Sequence, residues 1–101
     1  MTTPQGFRAA GVSAGIKRGG GQPDGSSHGS GPLDLALLVS DVPATAAAVF
    51  TTNRVQAAPV LVSREHLVRS HGLARAIIVN SGCANACTGD AGLQVARDMA
   101  A

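Results

Sequence analysis

The chain has very few large side chains from which to build a hydrophobic core. Its 101 residues include two Phe, no Tyr and no Trp, whereas Ala alone occurs 18 times. Aromatic side chains supply much of the buried area in a small core, and a domain of this size buries only a limited share of its surface. A free-standing domain of this composition would be marginally stable. We therefore expect the chain to be one layer of a larger protein whose other residues cover its apolar faces.

Charge and hydropathy exclude several classes of protein. Eight basic and six acidic residues give a net charge of +2, and the basic residues are scattered, which is not typical of a nucleic-acid-binding surface. Leu, Ile, Val and Phe together number 23, more than in disordered chains. No apolar run approaches the roughly 18 residues of a membrane span, and the N-terminus lacks the apolar core of a secretory signal. These features predict a soluble, cytoplasmic protein that binds neither nucleic acid nor membrane.

The distribution of Gly, Pro and apolar residues predicts a mixed α/β chain. The predicted elements are strands at 6–16, 33–40, 44–52, 59–62 and 74–80, and helices at 64–71 and from Asp90 onward. The strand at 74–80 has the most strongly buried pattern, whereas the alanines of 44–52 would also allow a helix. Ser63 would cap the first helix, Gly72 would end it, and residues 41–43 would form a turn.

Residues 18–32 are rich in Gly and Ser, and this composition predicts a flexible surface loop. A glycine-rich phosphate cradle is the alternative for such a stretch. We reject it, because the Gly-x-x-x-x-Gly-Lys-Ser/Thr pattern is missing and no helix follows. The loop is therefore expected to be a tolerated surface insertion that joins two strands.

The segment most informative about function is the junction between a strand and a helix at residues 80–90. The start of a helix leaves backbone N–H groups without partners, and the helix dipole adds positive potential there. An anion or a developing oxyanion is the natural occupant of such a site. Thr88 offers a hydroxyl group, and Gly89 lets its N–H approach a ligand with no side chain in the way. Spacing alone favours the simpler interpretation that Thr88 or Asp90 only caps the helix.

Cys83 and Cys87 suggest other chemistry, which the rest of the sequence does not support. A zinc site would need two more ligands, and His28, His66 and His71 are not at metal-site spacing. A nucleophilic cysteine needs a neighbouring base, and none is evident. We expect both cysteines to be buried, reduced and catalytically silent, with no bound metal or cofactor.

Three blocks of the chain together form a recognisable pattern. They are Gly6-Phe-Arg-Ala-Ala-Gly-Val12 with Gly15-Ile-Lys17, Asp34-Leu-Ala-Leu-Leu-Val39 with Ala48-Val-Phe-Thr-Thr-Asn-Arg-Val-Gln-Ala-Ala-Pro-Val60, and Asn80-Ser-Gly-Cys-Ala-Asn-Ala-Cys-Thr-Gly89. In this order and spacing they resemble the ornithine acetyltransferase family, the bifunctional glutamate N-acetyltransferases of arginine biosynthesis. Members of that family are several times longer. The resemblance therefore implies that residues 1–101 are the N-terminal portion of the family's α chain and an incomplete domain.

The resemblance also implies a fold and a reaction. The fold would be part of a larger, sandwich-type N-terminal-nucleophile acetyltransferase. Family enzymes move an acetyl group from N-acetylornithine to glutamate through an acetyl-enzyme, and some also accept acetyl-CoA as the donor. The precursor cuts itself before a threonine beyond residue 101, which becomes the nucleophile of a second chain. The α and β chains would form a heterotetramer, and residues 1–101 alone would be inactive.

The family's oxyanion hole consists of the threonine and glycine of its Asn-Ala-Cys-Thr-Gly block, which match Thr88 and Gly89. The resemblance thus implies the same site as the physics of the helix start. The family commonly has Asn where this chain has Cys83. Residues 18–32 form a longer stretch than is usual in the family, which implies a loop insertion away from the chemistry. Two alternatives stay open: a related N-terminal-nucleophile aminopeptidase or amidohydrolase, and a small module that binds an anion at the helix start.

Overall fold

A computed structural model describes residues 4–17 and 31–101 of the chain. The elements in chain order are β1 (Phe7–Val12), β2 (Leu35–Thr45), α1 (Ala58–Arg69), β3 (Leu73–Asn80) and α2 (Gly89–Ala100). The mixed α/β class predicted from the sequence is confirmed. The loop predicted at 18–32 lies outside the described residues, apart from its last two. Within the described residues no helix is long and apolar enough to cross a membrane.

The three strands form one antiparallel sheet in the order β1-β2-β3, with β2 in the centre. The register pairs Leu35 with Val12 on one side and with Asn80 on the other. The end of β1, the start of β2 and the end of β3 therefore lie at the same end of the sheet. Residues 13–17 and the loop 81–88 both leave from that end, so segments that are distant in sequence meet there.

Residues 41–43 continue β2, so the turn predicted there is wrong. The strand remains in the sheet to Thr45, but its register against β3 shifts between Val39 and Ala44. Such an irregularity leaves residues of one strand without a pairing partner. It accommodates Pro43, which has no N–H to donate to a ladder of strand hydrogen bonds.

The strand predicted at 44–52 is wrong beyond Thr45, and an irregular segment leads from there to α1. Polar side chains bond to the nearby backbone in this segment. The N–H of Asn53 donates to Oγ1 of Thr51 at 3.2 Å, and the N–H of Val55 donates to Oδ1 of Asn53 at 2.9 Å. Thr and Asn side chains that bond the backbone in this way stabilise turns in place of a strand.

The helix predicted at 64–71 starts at Ala58 instead, so the strand predicted at 59–62 is wrong. Proline occupies the first turn of α1, where its missing N–H costs nothing and its fixed φ suits a helix. Ser63 consequently lies inside the helix and does not cap it. The competing apolar run Pro-Val-Leu-Val was compatible with either structure, and its length alone did not distinguish them.

The C-terminal end of α1 follows the predicted glycine stop. Gly72 has a φ of 78°, a left-handed conformation that glycine adopts without steric cost. Its N–H donates to the carbonyl of Leu67 at 2.8 Å and closes the last turn. The strand predicted at 74–80 and the helix predicted from Asp90 are also confirmed, each starting one residue earlier.

The buried core lies between the two helices. Ala58 and Val62 of α1 pack with Ala96 of α2, and Leu93 adds a partly buried side chain. The sheet is not covered in the same way. The strand predicted to be the most buried has exposed apolar side chains, and Ile77 of β3 is 57% exposed. Exposed apolar side chains of this kind are unfavourable in water and are typical of a surface that further protein residues cover.

Candidate active site

The loop 81–88 brings Thr88 to the N-cap position of α2. The backbone φ alternates in sign there, at 57° for Cys87, −102° for Thr88 and 61° for Gly89. Such alternation turns successive N–H groups toward one side and forms a concavity that suits an anion. The first N–H groups of a helix have no hydrogen-bond acceptor within the helix. Among residues 4–17 and 31–101, no loop carbonyl accepts a hydrogen bond from the N–H of Thr88 or of Gly89.

The Thr88 side chain does not cap the helix. Although Thr88 occupies the N-cap position, its hydroxyl accepts no hydrogen bond from the first turn of α2. The hydroxyl instead donates to Oδ1 of Asn85. Asp90 lies in the first turn, where its negative charge suits the helix dipole. The interpretation of Thr88 as a simple side-chain cap is therefore not supported by its hydrogen bonds.

Asn85 connects three parts of the site. Its Nδ2 donates to the carbonyl of Gly92 at 2.6 Å, in the first turns of α2. Its own backbone carbonyl accepts from the N–H of Ala58 at 3.2 Å, at the start of α1. A methyl group on Gly92 would collide with the side chains of Thr88 and Asn85, so the arrangement requires a glycine there. Sequence analysis singled out neither residue; the only available signal was that Asn side chains in loops often bond to backbone groups.

Asp34 fastens residues 13–17 to the same end of the sheet. Its carboxylate is buried and accepts from the N–H groups of Ala14 at 2.6 Å and Lys17 at 2.8 Å. These bonds, that from Ala14 above all, favour the charged form and hold the pKa of Asp34 below its ordinary value. The backbone carbonyl of Asp34 accepts from the N–H of Ser81 at 2.8 Å. One residue thus holds both segments that meet at this end.

The side chain of Lys17 lies against Gly82, at the start of the loop. A Cβ at position 82 would lie 2.5 Å from Cγ of Lys17, and the φ of Gly82 is 104°. Both facts favour glycine at this position. Sequence reasoning assigned no role to Lys17 and did not single out Asp34. The sequence did contain a signal for Asp34, which is a single carboxylate beside an apolar strand. A charge buried there needs hydrogen-bond partners.

Both cysteines are exposed, so the prediction that they are buried is wrong. The loop that carries them runs over the surface, where small side chains have no core to enter. The Nδ2 of Asn80 donates to the backbone carbonyl of Cys83 at 2.9 Å, a contact that does not depend on the side chain at position 83. The described residues contain no group of three or more His, Cys, Asp or Glu placed to hold a metal ion.

Known proteins are similar to this chain in sequence and in structure. Residues 8–101 match the model of the ArgJ family. The arginine biosynthesis bifunctional protein ArgJ of Nitratidesulfovibrio vulgaris is 55% identical over 95 residues, which are 94% of this chain and 21% of that protein. The chain thus spans about a fifth of the length of this curated relative.

Two solved structures superpose on nearly the whole chain. The argJ protein of Bacillus halodurans has a TM-score of 0.78 and 44% identity, over 94% of this chain and 43% of the solved chain. The ornithine acetyltransferase of Mycobacterium tuberculosis, solved in complex with ornithine, has a TM-score of 0.76 and 50% identity. That match covers 96% of this chain and 44% of the solved one. The sheet and helices described above are therefore part of a larger fold in these proteins.

Proposed function

The chain belongs to the ArgJ family, and from this premise we propose that it is the N-terminal portion of an acetyltransferase of arginine biosynthesis. The resemblance inferred from the three sequence blocks is confirmed at the level of the family. The observation that carries the functional proposal is the turn at Thr88 and Gly89. Its φ values alternate at the start of α2, within the block that the resemblance identifies with the oxyanion hole.

The proposed reaction moves an acetyl group from N-acetylornithine to glutamate in two steps. A threonine at the N-terminus of a second chain, beyond residue 101, attacks the acetyl carbonyl while its own amine takes up the hydroxyl proton. The amide C–N bond breaks, ornithine leaves with that proton, and an acetyl ester of threonine remains. The amine of glutamate attacks this ester, and the threonine hydroxyl is restored. The ornithine in the Mycobacterium tuberculosis relative supports this class of substrate.

Thr88 and Gly89 have the role of stabilising the negative oxygen of the tetrahedral intermediate in each step. Gly89 is the first residue of the twelve-residue helix α2. The helix dipole therefore strengthens the hydrogen bond that the Gly89 N–H would donate to a negative oxygen. The Thr88 hydroxyl donates to Asn85 in this structure, so its proton has to leave that bond before it can serve the oxyanion. The loss of one donor from a comparable hole slows turnover by about 10²–10³.

We assign the chain to a precursor that cuts itself into α and β chains. The match to this chain covers 43% of the solved Bacillus halodurans chain but only 21% of the curated Nitratidesulfovibrio vulgaris relative. The solved chain is therefore about half as long as that relative, and a precursor cut near its middle accounts for the difference. The exposed apolar side chains of the sheet support a role for the remaining residues in covering it. Assembly of the two kinds of chain into a heterotetramer, and a cytoplasmic location, belong to the same proposal.

The two alternatives have less support. An amidohydrolase would use the same oxyanion geometry with water as the acceptor, but the ArgJ match favours transfer to an amine. A free-standing anion-binding module would need a covered core, whereas side chains such as Ile77 are exposed on the sheet. The transferase therefore remains the better conclusion.

The test is an acetyl-transfer assay on the complete protein that carries this chain. N-acetylornithine and glutamate should yield ornithine and N-acetylglutamate, and replacing the donor with acetyl-CoA tests the second proposed donor. The isolated 101 residues should be inactive, because the proposed nucleophile lies beyond them. Transfer by the isolated chain would contradict the division of the site between two chains. Hydrolysis without transfer by the complete protein would favour the amidohydrolase.

A further inference from the structure

We propose that Asp34, through its buried carboxylate, is a positioning residue for the oxyanion site: it shapes residues 14–17 into the support against which the loop 81–88 packs. The inference rests on the proposed function, in which Thr88 and Gly89 stabilise the oxyanion. The role of Asp34 is indirect, because it acts on these two residues only through the backbone that it holds in place.

The Asp34 carboxylate is buried beside an apolar strand. Asp34 is only 3% exposed, and a carboxylate removed from water is costly unless hydrogen bonds replace its hydration. Each of its oxygens accepts from a different backbone N–H: Oδ1 from Ala14 at 2.6 Å and Oδ2 from Lys17 at 2.8 Å. Among residues 4–17 and 31–101, no Lys, Arg or His side chain forms an ion pair with it. Its charge therefore acts on the backbone of residues 14–17.

The turn at residues 14–17 makes the contact with the loop. Gly15 has a φ of 74°, a left-handed conformation that lets the chain bend around the carboxylate. Lys17 then lies directly against Gly82, since its N and Cα would each be 3.4 Å from a Cβ at position 82. Backbone packs on backbone there, so a shift of Lys17 either moves Gly82 or opens a gap beside it.

The loop has few other attachments between the sheet and α2. The N–H of Ser81 donates to the backbone carbonyl of Asp34 at 2.8 Å, and the carbonyl of Asn85 accepts from the start of α1. Within the described residues, positions 82–84 and 86–87 make no hydrogen bond from backbone to backbone. A displacement at the start of the loop is therefore passed on toward Thr88. Displacements of about 1 Å at a catalytic group slow a reaction by as much as a hundredfold.

The test compares Asp34→Asn with Asp41→Asn in the complete, processed enzyme. An amide has the size of a carboxylate but presents a donor in place of one acceptor oxygen, so Asp34→Asn loses one of its two N–H bonds. This variant should lower kcat by about tenfold to a hundredfold with little change in KM, because the oxyanion forms only in the transition state.

Asp41→Asn is the matched control for this rate. Asp41 lies farther along β2, where its half-exposed carboxylate pairs with Arg8 at 2.9 Å, so its variant should have the kcat of the parent. Equal kcat for the two variants, or a raised KM alone in Asp34→Asn, would overturn the inference.

Variants of Lys17 test the route from Asp34 to the loop while the buried carboxylate stays in place, and they decide the question if Asp34→Asn fails to fold. Lys17→Ala removes the side chain beyond Cβ, and with it the contact of Cγ with Gly82, so kcat should fall several-fold. Lys17→Met keeps the stem without the charge and should keep a kcat close to that of the parent. Equal losses for the two Lys17 variants would overturn the inference.

A double-mutant cycle tests whether the two residues act together. If Asp34 acts through the contact of Lys17 with Gly82, the variant with both Asp34→Asn and Lys17→Ala should lose less kcat than the product of the two single losses. Losses that multiply would overturn the inference.

Hydrogen exchange of backbone amides measures the positioning itself, without an assay of activity. In Asp34→Asn the amides of Lys17 and Ser81 should exchange about tenfold faster than in the parent, because the turn no longer holds the start of the loop. The amide of Val62, in the core between the helices, should exchange as in the parent. Unchanged exchange at Ser81 would overturn the inference. A parent enzyme with no transfer activity would instead refute the proposed function, and exchange at Ser81 would still decide whether Asp34 holds the loop.

Discussion

Lys17 and Gly82 are in such close contact that a Cβ on the glycine would lie 2.5 Å from Cγ of the lysine. Asp34 binds the backbone on both sides of this contact. Its carboxylate accepts from the N–H of Lys17, and its backbone carbonyl accepts from the N–H of Ser81. The loop 81–88 is thus anchored at its start by the sheet and, near its end, by Asn85. Thr88 lies where the second anchor joins α2.

Gly82→Ala should destabilise the complete protein by about 1–3 kcal/mol, the usual cost of a non-glycine residue in a strained backbone region. The φ of 104° and the contact with Lys17 both oppose a side chain there. Urea unfolding measures the effect. Gly11→Ala is the control, because the nearest atoms to its added methyl group would be 3.6 Å away. Equal stability for the two variants would show that the contact at Gly82 is not needed.

Asp34→Asn should remove a pH-dependent part of the stability. The pKa of Asp34 is lowered in the folded protein, chiefly by the Ala14 N–H, relative to an ordinary value of 3.8. A lowered folded pKa adds stability above the unfolded pKa, and that stability is lost as the pH falls through the folded pKa. Unfolding over a pH series should therefore show the parent losing more stability on acidification than the variant.

The matched control for Asp34→Asn is Asp41→Asn on the same strand. The Asp41 carboxylate is half exposed and pairs with Arg8 at 2.9 Å, and surface pairs of this kind contribute little to stability. A stability difference between parent and Asp34→Asn that stays constant with pH would contradict the proposed role of the charge.

Thr88→Ala should lower kcat of the complete enzyme by about 10²–10³, as for other oxyanion-hole donors. KM should change little, because the charge develops only in the transition state. Steady-state kinetics on the processed enzyme measures both constants, and Thr88→Ser, which keeps a hydroxyl, should lose less. A raised KM with kcat close to that of the parent would identify Thr88 as a binding or capping residue.

Gly89→Ala should reduce kcat comparably, and the structure indicates the reason. A Cβ at Gly89 would meet nothing within 4 Å, whereas the φ of 61° is left-handed. The harm should therefore come from the backbone angle and not from a collision. Gly89→Asn should be less damaging, since Asn tolerates this region better than Ala does. If the Ala and Asn variants are equally slow, blocked access rather than the angle is responsible.

The cysteines should be accessible and dispensable. Both are exposed and free, so a thiol reagent should label both in the folded protein. A variant with Cys83→Ser and Cys87→Gly should keep turnover within a few-fold, since glycine suits the φ of 57° at position 87. Loss of turnover in a folded variant would mean that a thiol takes part in the reaction.

The sequence predicted correctly those elements whose limits depend on a few neighbouring residues. The apolar run before Asn80 and the glycine stop at Gly72 led to β3 and to the end of α1. The start of α1 was missed because Val60 and Val62 favour a strand by propensity, while the contact of Val62 with α2 stabilises a helix. Burial of β3 was overestimated, because an apolar strand pattern does not reveal whether the covering layer is in the same chain.

The candidate site was predictable only in part. Thr88 and Gly89 follow from the physics of a helix start and from the sequence block, and their roles remain proposals. Asp34 could not be connected with Lys17 and Ser81, since that connection requires the pairing of β2 with both neighbours. The Asn85 contact with Gly92 requires the loop to fold back on α2, which no residue spacing specifies.

The outer strands of the sheet have a consequence for how the protein is made. Among the described residues β1 and β3 each pair with one neighbour only, so each has an edge whose backbone groups are free to pair. Open edges beside apolar side chains promote aggregation with other chains. During synthesis these strands leave the ribosome before the residues proposed to cover them. We expect the nascent chain to depend on chaperones at this stage, and truncations after α2 to aggregate rather than persist as monomers.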